Sequence, residues 1–188
     1  MANMPKLVLV KHARSTVDPV RSPSEWELSP EGKAACPALA EALARLHPEV
    51  LVTSPEIKAC QTADEISHML NLPVQERPGL HEHDRDDVPH LPTREFLSMM
   101  ALAFRQPRQR IIGAESLERA RDRFLKALDG VLEEFAGKTI AVISHGTVIS
   151  LALHYHTGQD PYALWRKMQL PSFAVLNLPD YALDEIWP

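Results

Sequence analysis

The apolar runs at 7–10, 50–52 and 139–143 are short, rich in β-branched residues and followed at once by polar residues and a helix-start signal. Runs of that length without polar alternation suit strands covered on both faces. A chain that keeps alternating such strands with helices suits a three-layer α/β sandwich around a mostly parallel central sheet. Ser29-Pro30 has the N-cap and first-turn proline of a helix reaching about residue 46, with Leu39, Leu43 and Leu46 on its apolar face. Pro37 lies inside it and is expected to kink it. Ser54-Pro55 repeats the cap signature for a helix to about residue 70, and 72–75 reads as a weaker third strand. Further on, 115–135 is a strongly periodic helix closed by Gly137, 147–156 a second helix, and 173–178 and 182–187 two last strands. The proline-rich, charged stretch 77–113 holds one expected helix near 93–104 and reads as an insertion or lid within a single domain spanning 1–188.

At 188 residues the chain has the length of about one domain. The 25 acidic against 20 basic residues, a net charge of -5, argue against a broad nucleic-acid surface, which needs clustered positive charge. A local basic pocket for a small anion stays open. Two cysteines, Cys36 and Cys60, cannot make a disulfide framework and read as reduced thiols in helices. The only apolar run near the N-terminus, Leu7-Val8-Leu9-Val10 between Lys6 and Lys11, is too short for a signal peptide or a membrane span. A cytoplasmic protein without membrane contact is the expectation.

Ligands of open α/β sheets sit beyond the carboxyl ends of the strands. The residues expected there are Lys11-His12-Ala13-Arg14-Ser15, Ser54 leading to Lys58, Leu80-His81-Glu82, and Ser144-His145-Gly146-Thr147. Two histidines, two lysines and a carboxylate thus converge beside the free amides of helix N-termini, an arrangement that binds phosphate. With no Gly-rich phosphate loop and no serine triad, a histidine is the strongest nucleophile candidate. A neutral imidazole can attack phosphorus if its other nitrogen donates to a fixed acceptor. A second histidine stabilises charge on the transferring group, and Glu82, with Glu76, Asp84, Asp86 and Asp87 as nearby alternatives, supplies the proton an alkoxide needs.

These segments resemble the histidine phosphatase superfamily, also called the phosphoglycerate mutase-like fold. Leu9-Val10-Lys11-His12-Ala13-Arg14-Ser15 is similar to its opening motif, and Leu28-Ser29-Pro30-Glu31-Gly32 to its next helix start. The segment from Thr53 to Ala63, Leu80-His81-Glu82, Gly113-Ala114-Glu115-Ser116 and Val142-Ile143-Ser144-His145-Gly146 follow in family order. The resemblance implies a metal-independent phosphomonoesterase without cofactor, acting on a phosphorylated small molecule. His12 becomes the phosphohistidine, His145 lies beside it on the phosphate, and Glu82 is acid and then base. It implies phosphate contacts from Lys11, Lys58, Arg14, Ser15, Gly146 and Thr147. The family places arginines at positions 11 and 58; lysine keeps the charge but loses the planar fork, at a cost on the order of 1.5–3 kcal/mol, or roughly 10–100-fold in rate per site. Two alternatives follow: a weakly active relative that binds a phosphorylated ligand or protein, and a phosphoglycerate mutase, for which the chain is short.

Other polar groups have blander readings. His81, His83 and Asp86 contain a His-x-His pair that could suit zinc or iron, but the spacing does not match a dense metallohydrolase pattern. His154 and His156 are two apart on one helix and do not face each other. Arg105, Arg108 and Arg110 form a small basic cluster that reads as a solvated loop or a second anion contact. Asp18 falls where many family members carry an asparagine that touches phosphate, and Arg14 replaces an acid or amide. The two changes suggest a rearranged pocket in which Arg14 returns the positive charge that Asp18 opposes. Arg14→Ala is then expected to weaken vanadate binding about tenfold, the value of one charge-assisted hydrogen bond; an unchanged vanadate affinity refutes this compensation.

Overall fold

The computed structural model describes residues 4–187. Six strands form one sheet in the order β3-β2-β4-β1-β5-β6, with β1 at Lys6–Lys11, β2 at Val50–Thr53, β3 at Val74–Glu76, β4 at Ile140–Ser144, β5 at Ser172–Asn177 and β6 at Ala182–Trp187. β1 pairs in parallel with β4, and β2 with both β3 and β4; β5 runs antiparallel to β1 and to β6. Only β5 is therefore reversed against the rest, and the sheet is mixed but mostly parallel. The third strand begins two residues later than its apolar pattern suggests, and it is a half-buried edge.

Alternation along the strands builds two cores. Leu7, Leu9, Val50, Val52, Ile140 and Val142 face α4 (Leu117–Glu134) and α5 (Gly146–Thr157), against Phe124, Leu128, Ile149 and Leu153. Val8, Val10, Leu51, Ala141 and Ile143 face α1 (Pro30–Ala44) and α2 (Ile57–Leu70), against Leu39, Leu43, Ala63 and Ile66. β1, β2 and β4 are buried on both sides, which is why their runs read as continuous rather than alternating. A third cluster joins Met100 and Ala103 of α3 (Thr93–Arg105) to Ile112, Leu117 and Leu151. The 77–113 segment is thus anchored through its single helix, and also through Leu80, which packs in the first core, and Asp86, which accepts from Ser24.

Among the described residues, side-chain caps open three of the six α-helices. Ser29 Oγ accepts from Gly32 N at 3.1 Å, Ser116 Oγ from Arg119 N at 3.3 Å, and Asp160 Oδ1 from Ala163 N at 2.7 Å. The last of these opens α6 (Pro161–Lys167), a short helix that the periodicity missed although Asp160-Pro161 carries the start signal. At Ser54-Pro55 the helix begins later than the cap signature places it: α2 starts at Ile57, and the Ser54 hydroxyl, which accepts from Glu56 N at 3.3 Å, is also bonded to His145. Helix α1 runs through Pro37 without interruption and ends at Ala44, with Arg45 as its C-cap.

One close contact ties α1 to the loop after β1. Ser29 N donates to Arg14 O at 2.9 Å, and a Cβ added to Gly32 would stand 2.0 Å from the same Arg14 oxygen. Gly32→Ala must therefore move backbone, and overpacking of this kind costs about 1–3 kcal/mol. The expected result is a melting temperature lower by roughly 2–12 °C for a domain of this size; thermal unfolding followed by circular dichroism decides it, and an unchanged midpoint refutes the close approach.

Candidate active site

Parallel register brings the ends of three central strands level. Lys11 pairs with Ser144 and Thr53 with Ile143. The pairing continues one residue beyond the strands, where His12 N donates to Ser144 O and Ser54 N to Ile143 O, both at 2.9 Å. His12 and His145 leave the sheet side by side, with ring centroids 5.1 Å apart. A cavity of about 680 Å³ opens above them, with His12, Arg14, Ser15, Glu56, Lys58 and Glu82 on its wall. Lys11, His145, Gly146 and Thr147 stand behind that wall.

His12 is held in a defined tautomer. Its Nδ1 lies 2.7 Å from Ala13 O, and a carbonyl only accepts, so Nδ1 carries the proton and Nε2 keeps the lone pair. The turn that aims it is pinned to α2: Ala13 N donates to Thr62 Oγ1 at 3.0 Å, and that hydroxyl donates to Lys58 O at 2.7 Å. Burial, then the Lys58 ammonium, pushes His12 down to about 4, so the imidazole is neutral at neutral pH. Burial also takes His145 well below its ordinary value, and its Nε2 lies 2.7 Å from Ser54 Oγ and 3.5 Å from Glu56 Oε1.

The carboxylate at position 82 is more strongly bound than a free acid. Glu82 Oε2 accepts from Thr147 N at 3.1 Å, and Oε1 from His83 N at 2.8 Å and Val148 N at 3.3 Å. It thus caps α5, whose own N-cap residue, His145, has no capping side-chain bond. Burial alone would raise Glu82, but Arg85 and the amides of His83 and Thr147 outweigh it and bring the group down to about 2. The Arg85 guanidinium stands 3.7 Å from Glu82 Oε2 and lies over the Phe96 ring, 5.3 Å from its centroid.

The two lysines differ. Lys58 lies on the cavity wall, paired with Glu56 and donating to Pro23 O at 2.6 Å. Lys11 turns behind the wall, where Nζ donates to Met168 O at 2.9 Å and a Cβ on Gly146 would come within 3.0 Å of its Cε. Burial lowers its proton affinity, partly offset by the charge of Glu82. The amides of Thr147 and Val148 are engaged by Glu82, and the Thr147 hydroxyl, like His145 Nδ1, is buried with no hydrogen-bond partner among the described residues. Ser15 bridges Leu28, and the side chain of the exposed Arg14 reaches the cavity. Asp18 accepts from Val20 N at 2.9 Å and faces a neighbouring cavity.

Glu56 and Arg85 escaped the sequence reading, as did the bond that ties Ser54 to His145. Glu56 is the more connected of the two: it pairs with Lys58, accepts from Glu82 N at 2.6 Å and stands beside His145. Its signal was a carboxylate two residues before Lys58, in what looked like a cap. Of the metal candidates, His83 Nε2 donates to Glu115 O at 2.9 Å and Asp86 accepts from Ser24. Among the described residues no three His, Cys, Asp or Glu side chains gather as a metal site.

Comparison with known proteins agrees with this geometry. A model of the histidine phosphatase superfamily (branch 1) matches residues 7–182, and the chain belongs to that superfamily. An uncharacterized phosphatase PhoE of Bacillus subtilis is 30% identical over 113 residues, covering 60% of this chain and 55% of the relative. Phosphoserine phosphatase 1 of Hydrogenobacter thermophilus is 31% identical over 150 residues, 76% of this chain and 71% of that protein. The chain thus spans about half the length of the first relative and more of the second. A mycobacterial glucosyl-3-phosphoglycerate phosphatase shares the fold at a TM-score of 0.77, with 19% identity and coverage of 97% and 98% of the two chains.

The buried charges set an acid limit on stability. His12 binds its proton more weakly folded, about 4 against 6.5, and so does Glu82, about 2 against 4.5. Both shifts make the unfolded chain take up more protons in acid, so stability is full above about pH 6.5 and falls through 6.5–4 for His12 and 4.5–2 for Glu82. Each contribution is on the order of 3 kcal/mol. Urea midpoints are expected to drop steadily from neutral pH into acid, with Glu82→Gln flattening the lower limb; a midpoint constant between neutral pH and pH ~4 contradicts the His12 shift, and one constant from pH ~4.5 to ~2 contradicts the Glu82 shift.

Proposed function

We propose that this chain hydrolyses phosphomonoesters of small molecules without a metal, through a phosphohistidine on His12. The observation that carries this reading is the Nδ1 bond of His12 to Ala13 O, which leaves Nε2 unprotonated on the wall of a cavity that also carries Lys58, Arg14 and a carboxylate. The Nε2 lone pair attacks phosphorus and the bond from phosphorus to the alcohol oxygen breaks. The departing alkoxide takes a proton from Glu82. Water then attacks phosphohistidine, its proton passes to Glu82, and inorganic phosphate leaves with His12 restored.

Glu82 must be protonated to act first, and at about 2 it starts as a carboxylate. A phosphate dianion entering beside it competes for the amides of Thr147 and Val148 and adds like charge; both effects raise its proton affinity. Lys58, Arg14, Ser15 and the amides at Gly146 and Thr147 are the proposed phosphate contacts, with Lys11 acting as a charge from behind. His145 steadies the transferring group once the Glu56 carboxylate beside it shifts. The 77–113 segment, which holds Glu82, Arg85 and α3, is the proposed cover of the site. Burial raises Cys36 and Cys60 to about 11, which keeps both thiols protonated and fits a reducing cytoplasm. No helix of the described residues is long and apolar enough to cross a membrane.

The firm hold of three amides on Glu82 favours one second reading, a protein that binds phosphorylated ligands and turns them over poorly. Hydrolysis of a generic aryl phosphate in EDTA, from about pH 5 to 8, separates the two. The phosphatase reading expects activity that survives EDTA and falls by at least about 10³-fold in His12→Ala, since a lost nucleophile leaves only binding effects. Wild-type inactivity with His12-dependent vanadate binding favours the second reading, and activity retained by His12→Ala refutes the phosphohistidine.

A further inference from the structure

A second cavity, of about 540 Å³, adjoins the first and shares Val17, Pro23, Trp26, Arg85, Asp86 and Phe96 with it. The apolar part of its own wall includes Val88, Leu91 and Ile112. The volume is that of a small-molecule site. We propose that this chamber receives the leaving group, and that the preferred substrates are phosphomonoesters of uncharged, apolar primary alcohols with a ring or branched chain. The proposal rests on the phosphatase reading above and adds to it a substrate class.

Three observations carry it. The chamber is built and braced: Ser24 N and Oγ donate to Asp86 Oδ1 and Oδ2 at 3.1 and 2.5 Å, tying the loop after β1 to the segment before α3. Its aromatic walls face it with their polar parts already satisfied. Trp26 Nε1 donates to Asp18 O at 3.0 Å and Arg21 O at 3.3 Å, so the indole offers ring surface, and Phe96 is backed by the Trp165 ring at 6.2 Å. The ionisable groups on the lining are Asp18, Asp86 and Asp87 against Arg21 and Arg85, with His90. Arg21 is drawn to Asp18 at 3.7 Å, and Arg85 stands at the boundary, toward Glu82. A second anionic group on the substrate would meet a surplus of carboxylates, whereas an apolar one covers the rings and displaces water.

The test compares phenethyl phosphate with glycerol 3-phosphate, two primary-alcohol esters whose leaving groups differ little in acidity. The wild type is expected to favour phenethyl phosphate in kcat/KM by roughly 10- to 100-fold. Leu91→Gln, a polar change at a half-buried loop position, is expected to bring that ratio close to one, and Leu91→Met to restore it. A wild-type ratio near one, or a ratio unmoved in Leu91→Gln, overturns the proposal while hydrolysis through His12 stands. Turnover of neither ester, together with inactivity on aryl phosphate, takes the phosphatase reading down and this one with it.

Discussion

Everything chemical in this molecule depends on the register of three parallel strands. Because β1, β4 and β2 end level, the residues that follow them emerge side by side, although His12 and His145 are more than a hundred positions apart in the chain. Strand ends that slipped by one residue would turn His12 or His145 to the opposite face of the sheet. The register is held by side chains buried on both faces and by two backbone bonds that prolong the pairing past the last strand residues. The rigidity of the core is thereby passed to the imidazoles. Pinning of the Ala13 amide by Thr62 then removes the remaining freedom of the turn.

Charges placed in such an interior need partners, and here they are interlocked. Glu56 and Lys58 neutralise each other, both nearly buried, and Glu56 also holds the Glu82 amide. The β2–α2 turn and the segment after β3 are thus fixed to each other through one carboxylate. Removing either member of a buried pair leaves an uncompensated charge, which costs more than the pair itself contributes. A lysine suits this role because its compact ammonium reaches both Glu56 and Pro23 O. That geometry gives position 58 a structural task beyond any contact with phosphate.

The sheet, its helices and the two histidines were legible in the sequence because each signal is local: a β-branched run, a serine cap, a polar residue directly after a strand. Ser29 caps its helix as its position indicates, and Ser116 caps a helix that begins two residues later than its periodicity suggests. The errors share a cause in tertiary competition for one side chain. Ser54 has the sequence of a cap, yet its hydroxyl serves His145 and α2 begins at Ile57. Glu56 and Arg85 carry only a weak local signal, since a carboxylate in a first turn and an arginine in a charged loop read as solvated. Only the approach of β2 to the segment after β3 shows that both face the cavity. Lys11 errs the opposite way: a lysine following a strand points at ligands by topology, but Gly146 leaves room for it to run back under α5 to Met168 O.

That placement of Lys11 accounts for the position of Glu82. An ammonium lies under the start of α5, where the helix already presents its positive end, and the Arg85 guanidinium approaches from the other side. Three positive features around one point need an anion, and Glu82 supplies it through the amides of Thr147 and Val148. The same surplus would attract a phosphoryl group once the carboxylate is protonated and gives up those bonds. Binding the anion and protonating the acid are then one coupled event. A carboxyl group held far below neutrality can in this way become a proton donor when its place in the charge balance is taken.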